Sequence, residues 1–207
     1  MANYFNFTAL IIAVTTLGSM STYFVLSYQT SWAAIIICPL YASLCNGTPS
    51  ADIIIAITGN AIIHGNGGND HIEGAFHGYN FIYGDDGNDI MIGGDHPDYL
   101  NGGAGNDKYD GGPDGDTLLE GPAIGTPSGN DLMLGSSGDD YIVGDDGADR
   151  IYGGPGKDYI FPDNERLAND FSFDFVHCGS DNDVGVFIHS SDDFASTNCE
   201  RIIDFDG

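Results

Sequence analysis

Carboxylates recur along this chain at a spacing that lets them act together. One series, Asp52, Asp70, Asp89, Asp107, Asp131 and Asp149, alternates with a second, Ala61, Asn80, Asp98, Asp116, Asp140 and Asp158. Each member closes a short run of Gly, Asn and Asp, and three further aspartates, Asp86, Asp95 and Asp146, lie inside those runs. Turns of this kind offer backbone carbonyls and carboxylates, the hard oxygens that calcium collects six to eight at a time. Any single aspartate is better explained as a turn cap. Aspartates stacked in a column are not, because facing carboxylates repel unless a cation lies between them.

The element that would stack them is a nine-residue repeat. Gly65-Asn-Gly-Gly-Asn-Asp-His-Ile-Glu73 is followed by an irregular rung from Gly74 to Tyr83, then by rungs starting at Gly84, Gly93, Gly102 and Gly111. A Gly- and Pro-containing loop, Glu120 to Gly125, precedes rungs at Thr126, Gly135, Gly144 and Gly153, and degenerate rungs flank the series from Gly47 to Val186. Position eight reads Ile54, Ile63, Ile72, Ile82, Met91, Leu100, Tyr109, Leu118, Met133, Ile142, Ile151, Ile160 and Val176, with no charged residue. Each rung is therefore predicted to be a turn followed by a three-residue strand whose middle side chain points inward. One rung cannot bury its own apolar residue, so rungs must stack. Two rungs per coil give a flattened parallel solenoid with turns along both edges.

Gly102-Gly-Ala-Gly-Asn-Asp-Lys-Tyr-Asp110 and Gly153-Gly-Pro-Gly-Lys-Asp-Tyr-Ile-Phe161 carry GGxGxDxUx, with U large and apolar. In this the chain resembles the RTX, or haemolysin-type, calcium-binding repeats, from Gly47 to Phe161 with short interruptions. The fold class implied is all-β: a right-handed parallel β-roll solenoid of nine-residue rungs, with a hydrophobic N-terminal segment and a disulfide-closed C-terminal cap. The cap rests on Asp174-Phe-Val-His-Cys-Gly179, continuing to Cys199-Glu200, which looks like the cysteine-closed end of some exported members. Ions are expected along nearly the whole first column, but on the second only after Asn80, because Ala61 offers no ligand: roughly six to eight calcium ions in all. Folding would then depend on them.

Charge narrows the partners. With 31 acidic against 5 basic residues the net charge is −26, which excludes nucleic acid. All the acids except Glu73, Glu120, Glu165 and Glu200 are aspartates. Met1 to Ala51 has no charged side chain and contains Ala9-Leu-Ile-Ile-Ala-Val, so residues 1–33 read as a signal peptide or a membrane or assembly segment. Ser31-Trp32-Ala33 is the best cleavage site, although no basic residues precede it. Residues 34–46 form a cysteine-containing lead-in, 47–161 the roll and 162–207 the cap. An even number of cysteines in an exported chain argues for two local disulfides, Cys38 with Cys45 and Cys178 with Cys199. Three pairings are formally possible, and zinc is the competing use, without CxxC spacing. Asn46-Gly47-Thr48 is a glycosylation sequon.

No Ser or Cys nucleophile has a motif around it, so neither a catalytic site nor an enzyme is expected. His64 and His71 occupy outward strand positions and read as surface residues. Those outward positions are unusually apolar: Ile62, Phe81, Tyr83, Tyr99, Leu119, Tyr141, Val143, Tyr159 and Phe161 on one face; Ile53, Ile55, Ile90, Ile92, Leu132 and Leu134 on the other. Tyr83, Tyr99, Tyr141 and Tyr159 are expected to form one stripe. Apolar faces of this extent imply a partner. The readings are an extracellular or cell-surface structural protein that self-associates as a homo-oligomer or filament, or an adhesin or module binding a surface polysaccharide. Membrane contact enters only through an uncleaved N-terminus.

Overall fold

A computed structural model describes residues 10–14, 23–27, 34–38, 44–57, 59–121, 129–162, 173–187, 194–195, 198–199 and 201–204. Within them the rungs stack alternately into two parallel sheets. One contains Asp52–Ala56, His71–Glu73, Ile90–Ile92, Lys108–Pro113, Leu132–Ser137, Arg150–Pro155, Phe175–Ser180 and Phe194–Ala195, in that order. The other contains Leu44–Asn46, Ile62–His64, Phe81–Asp86, Tyr99–Ala104, Thr117–Leu119, Tyr141–Val143, Tyr159–Phe161, Val184–Phe187 and Arg201–Asp204. Every neighbouring pair in these two series is parallel. The position-eight side chains lie between the sheets. Each is at most 1% exposed, Tyr109 included, so this column is the core.

The turns repeat because two backbone positions in most of them are left-handed. Position two has positive φ in Asp85 (69°), Ser136 (78°) and Gly154 (117°), and position four in Gly87 (153°) and Gly105 (130°). Asp and Ser enter beside glycine at position two, and Asp114 (67°) at position four. Where glycine is used the coils approach closely at both positions: a Cβ on Gly103 would drive into the carbonyl of Asp85, and one on Gly105 into the carbonyl of Gly87, in the adjoining coil. Glycine there sets the approach of one coil to the next.

At the N-terminal end, β1 (Leu10–Val14), β2 (Tyr23–Ser27) and β3 (Ala34–Cys38) extend the first sheet, with β1–β2 and β2–β3 antiparallel. β3 runs parallel to Asp52–Ala56 and sets Ile36, 8% exposed, in line with Ile54. The segment read as a signal or anchor therefore contains strands. Among the described residues no helix is long and apolar enough to cross a membrane. Ser31 to Ala33 lies outside the described residues. The two disulfides are the local ones, Cys38–Cys45 and Cys178–Cys199. The first ties β3 to Leu44–Asn46, one sheet to the other, at the end of the core.

One expectation about the surface needs correcting. Tyr99 is in register with Phe81, Thr117 and, through Thr117, Tyr141 and Tyr159, whereas Tyr83 pairs with His64 and Asn101. Tyr83 sits at position nine and the others at position seven, so they occupy two parallel columns. The aromatic face is a pair of patches, Phe81–Tyr83–Tyr99 and Tyr141–Phe161, separated by the coil of Thr117.

Candidate metal centre

Position-six aspartates form two hydrogen-bonded ladders, one along each edge. On the first edge the backbone N–H of each aspartate donates to Oδ1 of the next: Asp52 to Asp70, Asp70 to Asp89, Asp89 to Asp107 and Asp107 to Asp131, each at 2.7 Å, then Asp131 to Asp149 at 2.8 Å. On the second edge Asn80 donates to Asp98 at 2.6 Å, Asp98 to Asp116 and Asp116 to Asp140 at 2.7 Å, and Asp140 to Asp158 at 3.0 Å. The two series derived from the repeat are the two edges observed. All of these side chains are buried.

Only one oxygen of each carboxylate is used in this way. Oδ2 of Asp70, Asp89, Asp98, Asp107, Asp116, Asp140 and Asp158 is buried and accepts no hydrogen bond. It points under the position-one glycine of its own turn, so that a Cβ on Gly65, Gly84 or Gly111 would collide with it. Burial pushes the carboxyl pKa of Asp70, Asp89, Asp131 and Asp158 up to about 7, of Asp98, Asp107 and Asp140 to about 6, and of Asp116 to about 8. Neighbouring carboxylates add to the rise at Asp70, Asp89 and Asp116, while the donated backbone N–H opposes it. Without a counter-charge the folded ladders favour protons.

Asn80 differs from the carboxylates around it. Its Nδ2 donates to the carbonyls of Ala75 and Gly78 and to Oδ1 of Asp98, and its Oδ1 accepts from Ala75 N–H. The amide thus brings its own positive end to Asp98. Asp86 is exposed and Asp95 and Asp146 are half-buried in the turns, outside the ladders.

Three features escaped the sequence reading. The ladders continue through the segment read as the cap: Asp149 N–H donates to Asp174 at 2.8 Å and Asp158 N–H to Asp183 at 3.0 Å. Both were legible as position-six residues of the last two rungs. An exposed asparagine ladder runs outside the first edge, from Ala148 to Asn130, Asn130 to Asn106, Asn106 to Asn88 and Asn88 to Asn69 through backbone N–H and side-chain oxygen. Position five carries it. Finally, buried Glu120 lies with Asp131 and Asp149, their oxygens within 4.8 Å of one another.

The profile of the RTX calcium-binding nonapeptide repeat matches residues 46–76, 78–95, 83–118 and 128–160, together just over half of the chain. The chain belongs to this family. No curated protein matches it. Membership in the RTX family makes the repeats calcium-binding and gives the roll a calcium-binding structural role. The donor set fits that cation, since hard oxygens crowd two columns, the Oδ2 atoms of Asp70, Asp89, Asp98, Asp107, Asp116, Asp140 and Asp158 lack a hydrogen-bond donor, and among the described residues no thiolate or imidazole joins the ladders. Calcium would supply the counter-charge that lets consecutive coils close on one another.

Proposed function

We propose that this protein is exported, folds when calcium fills its two edge ladders outside the cell, and self-associates through its exposed sheet faces. The observation that carries calcium-dependent folding is the row of buried Oδ2 atoms without donors, because near neutral pH and above such a row costs the compact chain its carboxylate hydration unless a cation offsets it. Position-six residues from Asp52 to Asp158 are the ligands on this reading, at roughly six to eight ions. Asp174 and Asp183 extend both rows, Asn80 closes one of them by hydrogen bonding, and Asp86, Asp95 and Asp146 supply turn oxygens. Extracellular calcium affinities of about 10⁻⁴ to 10⁻³ M would keep the chain open before export. Support for export comes from the uncharged stretch before Asp52 and the two disulfides. Either cleavage near Ala33 or retention as an anchor fits that stretch.

Self-association draws support from Phe81, Tyr141 and Tyr159, 45%, 43% and 38% exposed on one face, and Ile53, Ile90 and Ile92, 37%, 40% and 37% on the other. The same rings favour a second reading, stacking against a surface polysaccharide. Light scattering behind size exclusion in millimolar calcium separates them, with a variant in which Phe81, Tyr99, Tyr141 and Tyr159 become Ser. Wild-type oligomers that dissociate in the folded variant are expected. A monomeric wild type would set self-association aside in favour of the glycan reading, and a variant as oligomeric as wild type would move the contact elsewhere.

A further inference from the structure

Two departures from the repeat, on adjoining coils, meet around Asp131. Tyr109 is the phenol in an otherwise non-hydroxylic core column, Glu120 takes the position-one place held by glycine in Gly65, Gly84, Gly102 and Gly144, and extra residues follow Glu120 before the turn resumes. The backbone of Glu120 keeps the repeat's bond, its N–H donating to the Val143 carbonyl at 3.1 Å as Gly144 donates to Phe161 at 2.8 Å. Its side chain turns inside and is 3% exposed, with Oε1 accepting from Gly129 N–H at 2.8 Å. Elsewhere in this column a side chain has no room: a Cβ on Gly102 would strike Asp107 Oδ2 and the Tyr109 hydroxyl.

From this arrangement we infer that Glu120 is a third carboxylate ligand in the interval between Asp131 and Asp149, which makes that interval the tightest cation site of the roll. Oxygens held 2.3–2.6 Å from calcium lie within about 5 Å of one another, and those of Glu120, Asp131 and Asp149 meet that limit at 4.8 Å. Two further groups point to the same place. The Tyr109 hydroxyl, 1% exposed, donates to Asp131 Oδ2 at 3.3 Å. Beside it lies Asp107 Oδ2, from a residue 1% exposed and without a hydrogen-bond donor. Burial first, then Asp131, Asp107 and Glu120, hold the phenol pKa well above its ordinary value, so Tyr109 remains a neutral donor. Among the described residues this is the one place where ligating oxygens of three acidic side chains lie within 4.8 Å of one another. Glu120 adds its charge to those of the two ladder carboxylates, and higher ligand charge raises calcium affinity.

The inference rests on calcium filling the edge ladders and goes beyond it by ranking one interval above the rest. It is tested by metal analysis of protein passed through a desalting column at limiting calcium. Glu120→Gln removes the charge, and Glu120→Gly restores the residue that the other coils carry. Both are expected to lose one retained ion, with an affinity about tenfold weaker for that ion and an unchanged strand signal in saturating calcium. Equal retention by folded E120Q, E120G and wild type would overturn the inference. A wild type that binds no calcium would instead overturn the parent reading. Terbium provides a probe independent of Glu120 variants: the first equivalent should emit under tyrosine excitation in wild type and lose most of that emission in Y109F. Full first-equivalent emission in Y109F would overturn the inference even if both Glu120 variants failed to fold.

Discussion

The two edges of the roll begin differently, and the difference separates turn geometry from charge. On the first edge a carboxylate stands in every described coil from Asp52 onward. On the second, Ala61 and then Asn80 hold the same place before Asp98 begins the acidic row. Yet the strands beyond Ala61 and Asn80 pair in the regular register, Ile62 with Phe81 and Phe81 with Tyr99. A coil can therefore close with no side chain at position six beyond a methyl group, or with an amide that satisfies itself. Turn capping alone does not require aspartate. On the function proposed above, the buried carboxylates elsewhere in these rows are there for the cation.

The largest test of that contrast is removal of calcium. Excess chelator at pH 8 is expected to abolish the strand signal in circular dichroism, and a cooperative melt surviving there would show that the position-eight column suffices alone. Acid should partly replace the metal. Burial pushes the carboxyls of Asp70, Asp89, Asp98, Asp107, Asp116, Asp131, Asp140 and Asp158 up to about 6 to 8 from an ordinary 3.8, so the folded state holds more protons between those values. Stability of the metal-free roll should rise as pH falls from 8 toward 4, and be lost again as pH climbs through 6 to 8. A chelated protein that stays equally unfolded at pH 5 would refute the role given to buried, uncompensated carboxylate charge.

Single substitutions sharpen the comparison. Asp107→Ala, inside the first ladder, should lower the ion count and cost about 1–2 kcal/mol per ion lost at millimolar calcium. Asn80→Asp should do the reverse at the head of the second edge: one more ion in calcium titration, and lower stability in chelator because Asp98 loses its amide partner. If Asn80→Asp changed neither quantity, the two edges would not differ for the reason given. The smallest effect belongs outside the ladders. Asn106→Ala removes the acceptor for Asn130 N–H and should cost about 0.5–1.5 kcal/mol with no change in the ion count, measured by denaturant unfolding in calcium.

Much of this was fixed by the local pattern. A residue buried once every nine positions, with glycine where φ must be positive, leaves one way to stack, so the core column and the membership of each edge could be read directly. Interruptions hid the rest. The break from Pro162 to Ala168 obscured Asp174 and Asp183 as ladder members, and the loop after Glu120 obscured a carboxylate aimed inward. Position seven and position nine project on the same face, so only the strand register divided Tyr83 from Tyr99. Apolarity before Asp52 carries no periodic mark of strand direction, and pairing with β3 decided that β1 and β2 join the sheet as an antiparallel pair. What repeats can be read along the chain, because every rung meets the same steric and solvent demands. The tertiary structure decided what meets at the exceptions, where Tyr109, Glu120, Asp131 and Asp149 come together through stacking between coils rather than through spacing along the chain.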